Sequence, residues 1–202
     1  EVVAMRRVGA YHHMSFTAPG IPEQTRPGHF VALSVGGPTS SALLRRAFSV
    51  HRVNERGLYG GTVDIIFAAH GVGTTWMSSL ERGATLNVVG PLGKPFALPR
   101  EPVGVLDARR SAASVTVTTD DGSSGIAGRV TDVLPSVLER TGADVVYACG
   151  PMGMLSAISA VCEPLGVHTQ CAVEESMACG VGVCMTCVLP VVGDDGVTRM
   201  LR

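Results

Sequence analysis

The stretch "EESMACGVGVCMTC", residues 174–187, limits what this chain can become more than any other part of it. It sets Cys179, Cys184 and Cys187 four and two residues apart among glycines and small side chains. Such a loop has too little apolar surface to order itself, so a metal is the natural organiser. C-x4-C-x2-C with a distant fourth cysteine is the plant-type 2Fe-2S spacing. Gly180 and Gly182 let the backbone curl and turn N–H groups toward sulfur. A structural zinc site with His168 or Cys171 as fourth ligand competes with this reading. Zinc loops more often pair C-x2-C knuckles, so the spacing favours iron and sulfide.

The remaining cysteines are scattered. Six thiols in a chain expected to be intracellular argue against structural disulfides. Cys162 and Cys171 are expected to be small buried apolar residues. With 202 residues, 46% of them hydrophobic, the chain can bury one large or two small cores. A formal charge of −1 gives no whole-protein field for nucleic acid or an anionic membrane. No run approaches the ~18 consecutive apolar residues of a spanning helix, and the start lacks a secretory signal. The expectation is a soluble, cytoplasmic protein with no nucleic-acid or membrane partner.

Along the chain, "HFVALSV", "AFSVHRV", "TVDIIFAA" and "TLNVVGPLG" read as strands of an antiparallel barrel or sandwich, separated by Gly and Pro turns. "GVGTTWMSSLERG" reads as a helix stopping at Gly83. After Pro99 the pattern changes. "SVTVTTDDG" reads as strand and turn, "AGRVTDVLPSVLERTG" as a helix broken near Pro135, "ADVVYACG" as a strand and "PMGMLSAISAVCEPLG" as a helix. That alternation belongs to a parallel α/β sheet. Beyond Cys171 the chain reads as Gly- and Cys-rich loops without a conventional core. The divisions expected are 1–99, 100–170 and 171–202.

Two motifs in the first part point to one ligand. In "LLRRAFSVHRV", an Arg at a barrel strand could hold a pyrophosphate while the strand backbone bonds a flavin ring. Alone the motif favours the plainer reading, an exposed Arg beside a core Phe. In "IIFAAHGVGTTWM", Gly73 and Thr74 open a helix, where free N–H groups bind phosphate. Together the two describe both ends of a flavin nucleotide. In the second part, "VVYACGPMGML" ends a strand in Cys149, Gly150 and Pro151 at the carboxyl edge of a parallel sheet, where nucleotides bind. Cys149 could lie beside a nicotinamide or merely pack.

These pieces, with "VGPLGKPF" and "VTTDDGSSGIAGRVTDVL", occur in an order that resembles the electron-transfer subunits of class 1B dihydroorotate dehydrogenases, within the ferredoxin-NAD(P)+ reductase-like flavoproteins. The resemblance covers nearly the whole chain. It implies an antiparallel FAD-binding β-barrel, an α/β NAD-binding domain and a C-terminal 2Fe-2S segment. It also implies an oxidoreductase subunit relaying electrons between NAD(H) and a separate FMN-containing dihydroorotate dehydrogenase catalytic subunit, as two plus two chains, in pyrimidine biosynthesis. FAD contacts are implied at Arg46, Ala47, Phe48, Ser49, Ile66, Phe67, Ala68, Gly73 and Thr74, and cluster ligation at Cys179, Cys184 and Cys187. Alternatives are a related reductase subunit serving a hydrogenase or sulfide dehydrogenase, and a non-catalytic zinc-binding protein.

Two departures from the family pattern carry consequences. Ala47 stands where the family usually has Pro, which loosens the strand. Near residues 103–106 the family has a strand, a Gly-rich phosphate turn, a helix and another strand. This sequence passes through in a few residues, so its α/β domain reads as incomplete. The fourth cluster cysteine is expected beyond Arg202.

Overall fold

The first strands form a hairpin, β1 (Val2–Val8) and β2 (Tyr11–Thr17), closed by Gly9 at φ 60°. The computed structural model describes residues 1–37, 40–56, 60–97, 114–174, 177–180 and 182–201. The hairpin was hidden in the sequence by Arg6-Arg7 and His12-His13, which break the apolar alternation. It continues through β6 (Thr62–Ala68) to β5 (Arg52–Asn54), giving a four-stranded antiparallel sheet in the order β1-β2-β6-β5. A second antiparallel sheet has the order β4 (Arg46–Ser49), β3 (Phe30–Leu33), β7 (Val88–Leu92). The segment "AFSVHRV" thus supplies two strands in two sheets, because the chain turns at Val50 and His51.

One core joins the two sheets. Met14 and Phe16 from β2, Val31 and Leu33 from β3, and Val63, Ile65 and Phe67 from β6 are buried together with Met77. Each full burial contributes roughly 1.5–3 kcal/mol. Met77 comes from the short helix α1 (Val72–Ser78), which stops five residues before the expected Gly83. Ser78 and Ser79 turn their hydroxyls onto the carbonyls of Thr75 and Trp76, at 2.7 and 2.8 Å. Such local bonding competes with helix continuation.

Residues 1–95 and 175–202 form one compact unit and residues 96–174 another. In the second unit β8 (Thr118–Thr119) pairs in parallel with β9 (Ile126–Ala127), so the expected strand over "SVTVTTDDG" shrinks to two residues. Gly125 cannot be replaced there, because a Cβ would fall 2.1 Å from the Val117 carbonyl oxygen. Helix α2 (Val130–Thr141) is held by Asp132, which accepts the Arg129 N–H at 2.8 Å, and ends on left-handed Gly142. It runs through Pro135 without a break. That proline is the sixth helical residue and has no N–H to give the Thr131 carbonyl, yet the helix continues to Thr141.

Strands β10 (Val145–Gly150) and β11 (His168–Val173) pair in parallel, joined by α3 (Met152–Cys162). Leu138, Ala148, Leu155, Ile158 and Cys162 form the core of this unit. Cys162 is buried as expected, whereas Cys171, on β11, is exposed. The expected division at 170/171 falls inside β11. Residues 98–113, including the expected shortfall near 103–106, lie outside the described residues. The last hairpin, β12 (Leu189–Val192) and β13 (Thr198–Leu201), gives the C-terminal segment regular structure that its loop-like composition concealed. Arg199 pairs with Asp195 beside its turn and holds that carboxyl down to about 2. Among the described residues no helix is long and apolar enough to cross a membrane.

Candidate functional site

The barrel motif lands on two open strand edges. β4 is the outer strand of its sheet, with Arg46 opposite Leu33 and Phe48 opposite Val31. On β6, β5 covers only Thr62–Asp64, so Ile65–Ala68 pair with β2 alone among the described residues. Backbone groups on such edges can bond a planar heterocycle, as a further strand would. The Phe48 and Phe67 rings meet edge-on with centroids 5.9 Å apart. Phe67 is buried and stacks on His12 at 5.5 Å, so only its main chain is offered to a ligand. Ile66 is exposed, Ala47 and Ala68 are half-buried, and Ser49 is exposed at the end of β4.

Two adjacent arginines have different tasks. Arg45 donates to the Asn87 side chain, to the Asn87 carbonyl at 3.1 Å and to the Ala32 carbonyl at 3.4 Å, bracing the loop against β3. The exposed Arg46 donates to the carbonyls of Leu44 and Arg45, at 3.1 and 3.3 Å. These are neutral partners from its own loop that an anion could displace. The Arg45–Asn87 brace escaped the sequence reading; the doubled Arg was its only visible trace.

Gly73 and Thr74 sit in the first turn of α1, whose N–H groups lack intrahelical acceptors. Gly73 is required by packing, since a Cβ would stand 2.9 Å from Val35 Cγ2. The Thr74 hydroxyl is spent locally, accepting the His70 N–H at 2.7 Å and donating to the His70 carbonyl at 3.0 Å. Thr74 therefore offers a ligand its backbone N–H.

In the other unit, Cys149 and Gly150 end β10 and Pro151 starts the turn into α3. Gly150 has φ 154°, and a Cβ there would come 2.4 Å from Met154 Cε. The Pro151 carbonyl accepts the N–H groups of Met154 and Leu155. Cys149 Sγ is 4.0 Å from Glu174 Oε1. Cys149 is exposed as a residue, and partial desolvation of its sulfur, with that carboxylate second, pushes the thiol up.

The cysteine loop turns its amides inward. Cys179 Sγ accepts the N–H groups of Val183 and Cys184, at 3.3 and 3.5 Å. Gly180, Gly182 and Met185 take positive φ of 71°, 76° and 61°. Cys184 Sγ lies 3.1 Å from the Thr186 hydroxyl, and the bonds from Thr186 lower the thiol's pKa. Cys187 is half-buried. Among the described residues no group of three or more His, Cys, Asp or Glu gathers around one point, and this holds for Cys179, Cys184 and Cys187 as it does for a set with His168 or Cys171. Amides aimed at a thiol on a tightly curled, glycine-bearing loop suit an iron–sulfur cluster, whose ligands are shared between irons and whose sulfurs take N–H bonds.

Residues 174–202 match the iron-sulfur cluster binding domain of dihydroorotate dehydrogenase B. The Bacillus caldolyticus protein named dihydroorotate dehydrogenase B (NAD(+)), electron transfer subunit, is 32% identical, with 96% of this chain and 89% of the relative covered. This chain belongs to that family. The Enterococcus faecalis subunit of the same name is 30% identical over 86% of this chain and 80% of its own length. The B. caldolyticus alignment spans 237 positions against the 202 residues here, so that electron transfer subunit carries chain that this one lacks.

Solved structures agree on the fold. An NADH-dependent reduced ferredoxin-NADP oxidoreductase superposes with TM-score 0.76 at 22% identity, covering 99% of this chain and 87% of its own. A Neisseria gonorrhoeae ferredoxin NADP+ reductase, solved with FAD and NADP, gives 0.53 at 12% identity, covering 85% and 97%. This electron transfer subunit therefore has a ferredoxin-NADP reductase-like fold with a cluster-domain segment at its C-terminal end.

Proposed function

We propose that this chain relays electrons between NAD(H) and the FMN of a dihydroorotate dehydrogenase catalytic subunit, by way of FAD and a 2Fe-2S cluster. When bound, the flavin exchanges two electrons with the dinucleotide and one at a time with the cluster, which carries one. Arg46 neutralises the flavin pyrophosphate, the open edges of β4 and β6 bond its ring, and Gly73 and Thr74 add amides to its phosphates. In residues 96–174, the β10–α3 turn holds the dinucleotide, with Cys149 kept protonated as a neutral wall beside the nicotinamide. Cys179, Cys184 and Cys187 hold the cluster, while the Val183 and Cys184 amides stabilise negative charge on sulfur. The assembly is two relay chains with two catalytic chains, in the cytoplasm, serving pyrimidine biosynthesis.

The observation that carries this reading is the cysteine loop, where cluster-type spacing, amides aimed at Cys179 Sγ and the cluster-domain match coincide. Anaerobic purification of the full-length natural chain followed by iron, sulfide, zinc and flavin analysis tests it. Equal iron and labile sulfide together with FAD are expected. Zinc in place of iron, or absence of flavin, would refute it.

A further inference from the structure

Among the described residues Met185 is the one non-glycine with a positive φ, 61°, and it stands between a cluster cysteine and a hydroxyl. A side chain with a Cβ rarely enters this region, and backbone of this kind persists where its surroundings hold it. The turn folds Thr186 back onto the residue two before it, so that the hydroxyl oxygen lies 3.1 Å from Cys184 Sγ. Three consecutive residues make this contact, so it does not depend on where Cys179 and Cys187 stand.

The cysteines of the loop are served differently. Cys179 Sγ accepts the backbone amides of Val183 and Cys184, donors that remain whatever side chains those positions carry. Cys184 is exposed where Cys179 and Cys187 are half-buried, and its sulfur is met by a side chain. A backbone donor is set by the fold, whereas this one is set by the choice of residue 186. As a free thiol, Cys184 gives its S–H to the hydroxyl oxygen. As an iron ligand it is a thiolate with no hydrogen to give. The hydroxyl is donor as well as acceptor, so it then turns its own hydrogen onto the sulfur.

We propose that Thr186 tunes the 2Fe-2S cluster, its hydroxyl raising the reduction potential by donating to the Cys184 thiolate. This rests on the proposed function above. An added electron makes the cluster and its ligand sulfurs more negative, so the bond is stronger in the reduced state than in the oxidised one. The difference favours reduction. A one-electron carrier between two flavins is useful only if it can be occupied, and each tenfold loss of occupancy corresponds to about 59 mV for a one-electron couple. Thr186 therefore acts on how readily the cluster takes an electron, not on whether it is held.

Thr186→Val, Thr186→Ala and Thr186→Ser in the full-length, cofactor-loaded protein test this. The readout is the midpoint potential of the cluster, followed anaerobically by low-temperature electron paramagnetic resonance of the reduced form at set potentials, with no dinucleotide or partner present. Iron, sulfide and FAD contents are measured beside it. Thr186→Val is expected to lower the midpoint by about 59 mV, a tenfold change in the one-electron equilibrium, with those contents unchanged. Thr186→Ala should shift the same way and carries the test if the valine variant does not fold. Thr186→Ser keeps the hydroxyl and should match the unmodified protein. An unchanged midpoint in the variants without the hydroxyl would overturn the proposal, as would an equal fall in Thr186→Ser, which would assign the effect to the lost methyl group. Failure of both hydroxyl-free variants to hold a cluster that Thr186→Ser holds would also overturn it, by making the hydroxyl a requirement of assembly. An unmodified protein that holds no 2Fe-2S cluster would sink the proposed function and this inference together.

Discussion

Gly180→Ala is the substitution that most sharply tests how the cluster loop is built. Gly180 has φ 71°, where an L-residue costs roughly 1–2 kcal/mol. Its new Cβ would lie 3.2 Å from Ala32 Cβ, so the loop must also shift by a few tenths of an ångström against β3, while Leu92 Cδ1 at 3.8 Å is in ordinary contact. Gly182 is the internal control: φ is 76°, but nothing stands within 4 Å of a Cβ there. Both alanines therefore carry the strain, and only the one at 180 carries the crowding. At about 1.4 kcal/mol per factor of ten, strain alone should speed cluster loss roughly 5- to 30-fold, with a further increase at 180. The assay is anaerobic decay of the cluster's visible absorbance with an iron chelator, with FAD content showing that the barrel is intact. Equal decay for Gly180→Ala and the unmodified chain would refute the loop geometry. Equal acceleration at 180 and 182 would refute its seating on β3.

Arg46→Ala should weaken FAD retention by the about 1.5–3 kcal/mol of a lost charge-assisted hydrogen bond, while an Arg45 substitution should lower barrel stability instead; flavin content after dialysis and thermal unfolding separate the two. Cys149 should alkylate slowly at pH 8, and Glu174→Gln should speed this by removing the secondary cause of its raised pKa, as followed by mass spectrometry of the Cys149 peptide. His13 is nearly buried 3.4 Å from Asp64, and burial lowers its pKa below 6.5 with Asp64 only partly opposing. The unfolded chain then binds the proton more readily, so stability is full above pH 6.5 and is lost as pH falls toward the folded value. His29 shifts in the same direction, so His13→Asn should reduce but not abolish the slope of unfolding free energy against pH.

The sequence makes the cysteine loop legible because its chemistry lies in local spacing, and β6, β7, β10 and α3 because each is a mostly apolar segment set off by Gly or Pro signals. It conceals β1 and β2, where Arg6-Arg7 and His12-His13 break the apolar alternation although His13 is buried, and where β2 also pairs at long range with β6. It misreads Pro135, which lies inside a helix that runs unbroken from Val130 to Thr141. Arg46, Phe48 and Gly73 are visible as a motif, but that Phe67 turns inward onto His12 and that the Thr74 hydroxyl is used up on His70 are facts of packing. The bond from the Ala97 N–H to the Gln170 side chain has no signature at all, because it joins a backbone peptide to a residue 73 positions away.

The relay order is the central claim, and Cys184→Ser tests it most directly. The full-length variant and the unmodified chain are each combined anaerobically with the FMN-containing catalytic subunit and mixed with NADH, and flavin reduction in the two subunits is followed separately. The account predicts that FAD in the variant is reduced at the normal rate, as is an artificial dye that takes electrons there, while FMN in the partner stays oxidised. FMN reduced by the variant as fast as by the unmodified chain would contradict it, placing the cluster outside the path between FAD and the partner.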